Sequence, residues 1–201
     1  MAKVFTALAV SADGYIAGPN DGPGNPLGDG GARLFKWYRD GDTQSRYYPQ
    51  FRLSEKSASV FDAICARTGA VLSGRRTYEI ANAWGGRGPL PGVPLFVLTH
   101  EPPQPPPASD PPYTFVQHGI ADAVERAKHT AAKREADVAL MGSAPVRQAL
   151  AHDLLDEITL HQVPILLGGG VRLLDHFPTE VSLNRVVYAP GVIHIAYELV
   201  R

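Results

Sequence analysis

The 201-residue sequence predicts an α/β fold with a mostly parallel central sheet and an antiparallel edge at its C-terminal end. Short apolar runs rich in β-branched residues alternate with helical patterns, as they do in strand–helix–strand units. The first run, residues 4–10, is continuously apolar, which is typical of a strand covered on both faces. The last two runs, residues 183–188 and 192–200, flank Pro190 and Gly191 and predict a hairpin. We expect one domain over residues 1–201.

After the first strand, residues 19–49 are rich in Gly, Pro and Asp. Connections of this length in a compact domain are usually functional, so this segment is interpreted as a lid or pocket wall. Residues 52–66 follow as a predicted helix, because apolar side chains recur at helical spacing on the face formed by Leu53, Ser57, Val60, Phe61 and Ile64. Cys65 lies next to this face and is interpreted as a small buried hydrophobe.

The second half of the chain continues the alternation. Residues 101–112 contain seven prolines and predict a stiff surface connection, since proline has no amide for a ladder. Ser143 or Ala144 is expected to cap a helix that carries Pro145 in its first turn. The remaining predicted elements are a helix over residues 120–134 and strands over residues 70–72, 94–98, 113–116, 138–141 and 158–167, the last of them interrupted at Pro164.

Composition narrows the classes of function. With 19 basic and 20 acidic residues the formal net charge is −1, so nucleic-acid binding has no obvious electrostatic source, and a small molecule is the expected partner. A single cysteine excludes an internal disulfide and a cysteine metal cage, and favours the cytoplasm. No apolar run approaches the roughly 20 residues of a membrane helix. The seven histidines show no metal-ligand spacing, so no metal site is expected.

Polar groups follow several predicted strands, where ligands of open α/β sheets bind. Gly74, Arg75, Arg76 and Thr77, here called the arginine turn, offer two guanidinium groups and a hydroxyl suited to a phosphate monoester. Adjacent arginines are also common on solvated surfaces. Thr99 and His100, after the strand over residues 94–98, offer further hydrogen bonds.

A second anion site is predicted where the strand over residues 138–141 enters a helix. Gly142, Ser143, Ala144 and Pro145, here called the glycine turn, combine free amides with the positive end of a helix dipole. A glycine and a cap also begin many ordinary helices. Both turns follow the ends of predicted strands, and this shared placement favours a phosphate-bearing ligand.

Three acidic or glycine-rich motifs admit two interpretations. Asp13, before Gly14, is either a turn residue or a group that contacts substrate or relays a proton. Asp156 and Glu157 are adjacent in an extended segment and point to opposite faces, so they are expected to be structural rather than a catalytic pair. The glycines at 168–170 are either a phosphate-binding nest or a strand exit that needs positive φ.

The sequence resembles the RibD C-terminal family, a reductase branch of the dihydrofolate-reductase superfamily. The resemblance lies in residues 11–17 (SADGYIA), 74–79 (GRRTYE), 155–157 (LDE) and 164–168 (PILLG), in this order. It implies a three-layer dihydrofolate-reductase-like fold with about eight strands, NADPH as cofactor, and a homodimer formed through the C-terminal strands. The implied contacts are Arg75, Arg76 and Thr77 with the 2′-phosphate and diphosphate, Gly142, Ser143 and Ala144 with the diphosphate, Ala7 and Ile16 with the nicotinamide, and Thr99 and His100 with the adenosine.

The implied activity is hydride transfer from NADPH to a small heterocyclic or ribosylamino-pyrimidine-like substrate. Reduction of folate is disfavoured, because only Asp29 could supply the loop carboxylate of the folate enzymes and no tryptophan precedes it. Asp13, Asp29 or water is the candidate proton source. The alternatives are a nucleotide-binding module without turnover and a flavin-using oxidoreductase.

Overall fold

The computed structural model describes residues 2–175 and 178–200, which form two compact units. The first unit comprises Met1–Thr6 with Arg67–Asp156, and the second comprises Ala7–Ala66 with Glu157–Arg201. One domain over residues 1–201 stays a prediction. The strands are β1 (Val4–Ser11), β2 (Tyr15–Ala17), β3 (Thr43–Gln44), β4 (Arg52–Leu53), β5 (Thr68–Gly74), β6 (Leu95–Leu98), β7 (Thr114–Val116), β8 (Asp137–Met141), β9 (Glu157–Val163), β10 (Val171–Arg172), β11 (Val181–Ala189) and β12 (Val192–Leu199). The α-helices are α1 (Glu55–Arg67), α2 (Arg75–Ile80), α3 (Gly119–Ala132) and α4 (Ser143–Ala151), and Gly31–Arg39 and Asn82–Gly86 are 3-10 segments.

The described residues contain an eight-stranded sheet with the order β11-β12-β9-β1-β8-β5-β6-β7. The pairs β1–β8, β8–β5, β5–β6 and β6–β7 are parallel, whereas β9–β12 and β12–β11 are antiparallel. This confirms the predicted α/β class, its mostly parallel sheet and its antiparallel C-terminal edge.

The core of the first unit is built around β5, which is buried along its whole length between β8 and β6. A strand covered in this way has no solvent-facing side, which explains its run of small and apolar residues, and its two hydroxyl residues, Thr68 and Ser73, are buried as well. The Thr6 hydroxyl donates to the Leu140 carbonyl at 3.0 Å, and the Asp156 carboxylate accepts from the Val4 amide at 2.7 Å. Asp156 is therefore structural, as expected.

The core of the second unit contains a buried histidine pair. His161 Nδ1 and His194 Nδ1 lie 2.8 Å apart, and His194 Nε2 lies 3.0 Å from the Ser57 hydroxyl. The Trp37 ring packs at 5.2 Å from both imidazoles. Burial, with a smaller contribution from His194, lowers the pKa of His161 to about 3, and burial together with Arg185 lowers the pKa of His194 to about 4. Both imidazoles are therefore neutral at neutral pH.

Two element boundaries differ from the prediction. The helix expected over residues 52–66 begins at Glu55, because the Ser54 hydroxyl accepts from the Ser57 amide at 3.3 Å as an N-cap. Arg52 and Leu53 pair instead with β3. The strand expected over residues 158–167 stops at the predicted interruption, because Pro164 has no amide to donate, and it does not resume after that residue.

The predicted cap of α4 is wrong, whereas the other segments add to the sequence interpretation or agree with it. Gly142, with φ +90°, caps α4 without a side-chain hydrogen bond, so neither Ser143 nor Ala144 is the cap. Residues 19–49 contain the 3-10 helix Gly31–Arg39, which buries Leu34 and Trp37. Residues 82–86 all have positive φ, a left-handed run with no signature in the sequence pattern. Cys65 is buried, as expected.

Candidate functional site

The arginine turn and the glycine turn lie against each other in the first unit. A Cβ atom on Gly142 would collide with the Thr77 hydroxyl, and one on Gly74 would come within 3.2 Å of Pro145 Cδ. The two predicted anion-binding turns, 68 positions apart in sequence, therefore form one surface.

Strand register explains this proximity. Ser73 of β5 pairs with Met141 of β8 in the parallel ladder, and in both strands the residue that follows is a glycine. Gly74 and Gly142 consequently leave the sheet side by side, and each leads directly into a helix. Parallel strands bring their carboxyl ends to the same edge of a sheet, which places both helix starts there.

The glycine turn presents the start of α4. The first amides of an α-helix have no acceptor inside the helix and carry the positive end of its dipole. Ser143 is half-buried and Ala144 is exposed, whereas Pro145 is buried and removes one donor. The positive φ of Gly142 and its contact with Thr77 explain why no larger residue fits here.

The arginine turn supplies the positive charge. Arg75 and Arg76 are exposed and Thr77 is half-buried. Arg75 Nε donates to Glu79 Oε1 at 2.7 Å and its Nη1 donates to the Glu101 carbonyl at 3.1 Å. The hydrogen bond and the charge of Glu79 raise the pKa of Arg75 further above its usual range.

Thr99 and His100 differ in their availability. Thr99 is buried, and its hydroxyl donates to the Glu101 carbonyl and accepts from the Glu101 amide. This hydroxyl therefore serves a local turn. His100 is exposed, and its carbonyl accepts from the Gln117 side chain.

A shallow cleft of the first unit adjoins the arginine turn. Its side chains are aromatic, apolar and acidic as well as basic. Sequence reasoning did not select its acidic members Glu79 and Glu101. The i, i+4 spacing of Arg75 and Glu79 was a usable signal for their ion pair. The lining residues are Arg75, Tyr78, Glu79, Val97, Thr99, Glu101, Pro103 and Phe115.

Asp13, in the second unit, is held by short hydrogen bonds. Its carboxylate accepts from the Ser11 hydroxyl at 2.6 Å, from the Gly168 amide at 2.7 Å, and from the Leu167 amide at 3.1 Å. The hydrogen bond from Ser11, joined by those from Gly168 and Leu167, lowers the pKa of Asp13 to about 2. An acid of this strength is ionised at neutral pH, so the geometry favours the turn interpretation over a proton relay. The Gly168 amide, one of the three in the predicted phosphate nest at residues 168–170, is therefore already occupied by this carboxylate.

The other predicted positions in the second unit are less constrained. Asp29 is exposed, and its carboxylate accepts from the side-chain amides of Asn20 at 2.7 Å and Asn25 at 3.0 Å. Ala7 in β1 and Ile16 in β2 are half-buried. The roles of Asp29, Ala7 and Ile16 stay predictions.

A comparison with family models gives a match to the RibD C-terminal domain over residues 2–188. The chain belongs to the RibD C-terminal domain family. RibD C-terminal domains have a dihydrofolate-reductase-like fold, and the family typically contains NAD(P)H-dependent reductases. The resemblance found in the sequence is thus confirmed. No curated protein matches this family member in sequence.

Solved structures place this RibD-type chain in the same fold. A protein of Shewanella sp. PV-4 assigned to riboflavin biosynthesis is 23% identical, with 100% of both chains covered and a TM-score of 0.70. Dihydrofolate reductase of Enterococcus faecalis, in complex with NADP(H), is 13% identical over 98% of this chain and 96% of its own, with a TM-score of 0.58. A Thermotoga maritima diaminohydroxyphosphoribosylaminopyrimidine deaminase and 5-amino-6-(5-phosphoribosylamino)uracil reductase is 14% identical, with a TM-score of 0.59. That match covers 99% of this chain and 57% of the longer enzyme.

The residues of the two turns fit the cofactor type of the RibD family. Helix-start amides and exposed guanidinium groups on one surface are the donors that a dinucleotide's phosphates need. Within residues 2–175 and 178–200 no group of three or more His, Cys, Asp or Glu could hold a metal ion. None of the helices described is long and apolar enough to cross a membrane.

Proposed function

We propose that this chain is an NADPH-dependent oxidoreductase that reduces a small heterocyclic or ribosylamino-pyrimidine-like substrate. The observation that carries the proposal is the contact between the arginine turn and the glycine turn. Family membership supports the reductase class, and the two turns support a cofactor with several phosphate groups.

In this proposal each turn has its own task. The free amides of Ser143 and Ala144 at the start of α4 hold the diphosphate, and Thr77 adds a hydroxyl beside them. Arg75 and Arg76 hold the 2′-phosphate, and Thr99 and His100 lie towards the adenosine. Bound NADPH supplies the hydride, while the protein positions the reactants and excludes water.

The reduction also needs a proton donor, and Asp13 is poorly suited to that role. Asp13 keeps its charge at neutral pH because three protein groups donate to it, so it orients the loop after β1 rather than giving up a proton. Asp29 or water remains the proposed donor. A nucleotide-binding module without turnover would need no donor at all, which keeps this alternative as an outcome of the test.

The test measures binding before turnover. Purified protein is titrated with NADPH, NADH and FMN by calorimetry, and NADPH oxidation is then followed with a ribosylamino-pyrimidine phosphate and with dihydrofolate. We expect Arg75→Ala and Arg76→Ala each to weaken NADPH binding about tenfold, which corresponds to the typical loss of a charge-assisted hydrogen bond.

Arg126→Ala is the matched control. Arg126 pairs with Asp122 at i, i+4 with an N–O distance of 2.9 Å and is 50% exposed, compared with 2.7 Å and 48% for Arg75. It should leave NADPH binding unchanged. Failure of the wild type to bind NADPH contradicts the proposal. Tight binding of FMN alone supports a flavin-using enzyme, and NADPH binding without oxidation of any substrate supports the binding module.

We also propose that the chain acts as a homodimer in the cytoplasm. β11 is an edge strand, and four of its apolar residues pair with every second residue of β12. Their side chains therefore lie on one face of the sheet. A large exposed apolar face of this kind usually marks an interface. The lone buried Cys65 is consistent with a reducing compartment. The four apolar residues, here called the β11 face, are Val181, Leu183, Val186 and Tyr188.

A further inference from the structure

The arginine that is proposed to hold the 2′-phosphate already has two hydrogen-bond partners, a carboxylate and a backbone carbonyl. Arg75 Nε donates to Glu79 Oε1 at 2.7 Å, and Nη1 donates to the Glu101 carbonyl at 3.1 Å. A guanidinium group has five N–H donors, so these two bonds leave one on Nη1 and two on Nη2. Only the end of the guanidinium remains for a two-point contact with a phosphate.

The acidic residues of the cleft beside Arg75 also disfavour a phosphate at this arginine. The residues that line the cleft include one basic residue, Arg75, and two acidic residues, Glu79 and Glu101. Both carboxylates stabilise the Arg75 cation, Glu79 by direct contact and Glu101 through space. A phosphate dianion at Arg75 would lie close to Glu79 and would be repelled by it, whereas a ribose 2′-hydroxyl carries no charge and can donate to a carboxylate.

We propose that Glu79 is a specificity-determining residue that lowers the preference of this chain for NADPH over NADH. Glu79 competes with the 2′-phosphate for Arg75 and disfavours a second negative charge beside it. The inference rests on the proposed function, since it concerns the cofactor site of the proposed reductase. It assigns to Glu79 a role opposite to that of Arg75 at the same phosphate.

The experiment compares dissociation constants of NADPH and NADH for the wild type, Glu79→Gln and Glu101→Gln, measured by calorimetry at low and high salt. Glu79→Gln should increase the preference for NADPH over NADH about fivefold, chiefly by tightening NADPH, as expected for removal of one nearby like charge at a surface site. The increase should shrink at high salt. Glu101→Gln should give a smaller increase, because its carboxylate does not contact Arg75.

Two further measurements isolate the effect. Adenosine 2′,5′-bisphosphate and 5′-AMP differ in the 2′-phosphate, as NADPH and NADH do, but lack the nicotinamide. The ratio of their affinities should therefore change in Glu79→Gln as the ratio for the two dinucleotides does. Asp122→Asn, which removes the carboxylate of the matched Arg126 pair, should leave every ratio unchanged. Binding of both dinucleotides with an unchanged ratio in Glu79→Gln overturns this inference alone. Absence of binding by the wild type overturns the proposed function and this inference together.

Discussion

Asp13 shows how a single carboxylate is fixed by partners that are distant in sequence. The amides of Leu167 and Gly168 are more than 150 positions from Asp13, yet both donate to it. Sequence reasoning found the Asp13–Gly14 turn from local chemistry. It could not find these donors, because no local pattern encodes which amide meets a carboxylate across the fold.

Asp13→Asn should lower the melting temperature at pH 7, because it removes the charge that accepts these bonds. The pKa of about 2 in the folded state lies below the ordinary value of 3.8, so the carboxylate contributes stability above pH 4 and loses it as the pH falls towards 2. The difference between the variant and the wild type should therefore narrow below pH 3. Melting curves at pH 7 and pH 2.5 measure it.

Asp42→Asn, which changes an exposed carboxylate, serves as the control for Asp13→Asn and should leave both curves unchanged. Loss of turnover in Asp13→Asn at an unaltered melting temperature would contradict the structural role and restore the proton-relay interpretation.

At the scale of elements, the glycine turn depends on the junction between β8 and α4. Gly142 has φ +90° and ψ 156°, a region that other residues rarely adopt, and its missing side chain makes room for Thr77. Gly142→Ala should lower the free energy of unfolding by about 1–3 kcal/mol from backbone strain, with a further loss from the collision. Chemical denaturation measures this change, and NADPH binding should weaken with it.

Gly119→Ala separates the two contributions. Gly119 has φ +89°, but a Cβ atom there would meet nothing within 4 Å. Its variant should show only the strain of the backbone. Equal losses at Gly119 and Gly142 would mean that the contact with Thr77 does not constrain the glycine turn.

Elements with a strong periodic pattern were predicted well, and elements fixed by distant pairing were not. The strands β5 and β8 and the helices α3 and α4 follow from apolar runs and helical spacing, because local patterns determine them. β2, β10, β3 and β4 are two or three residues long and exist through their pairing. The contact between the two turns depends on strand register, which the sequence does not reveal.

At the scale of the whole molecule, the β11 face predicts self-association. Leu183 and Tyr188 are 59% and 69% exposed on an edge strand, where an unpaired apolar surface is otherwise a liability. Leu183→Lys combined with Tyr188→Lys should convert a dimer into a monomer, as measured by light scattering after size exclusion. Leu166→Lys, at a position that is 70% exposed outside the sheet, should leave the dimer intact.

A wild-type monomer at high concentration would contradict the homodimer. A dimer that survives the double substitution would move the interface away from β11.

His161, His194 and Ser57 form a series of hydrogen bonds whose donors and acceptors depend on one another. Two neutral rings whose Nδ1 atoms lie 2.8 Å apart share one proton there, so one imidazole is the Nδ1–H tautomer and the other is the Nε2–H tautomer. If His161 donates, His194 carries its proton on Nε2 and donates to Ser57. If His194 donates, its Nε2 accepts from the Ser57 hydroxyl instead. The tautomer of His194 therefore decides whether the hydroxyl of Ser57 donates to this ring or accepts from it. Nitrogen chemical shifts of the two rings would show which arrangement is present.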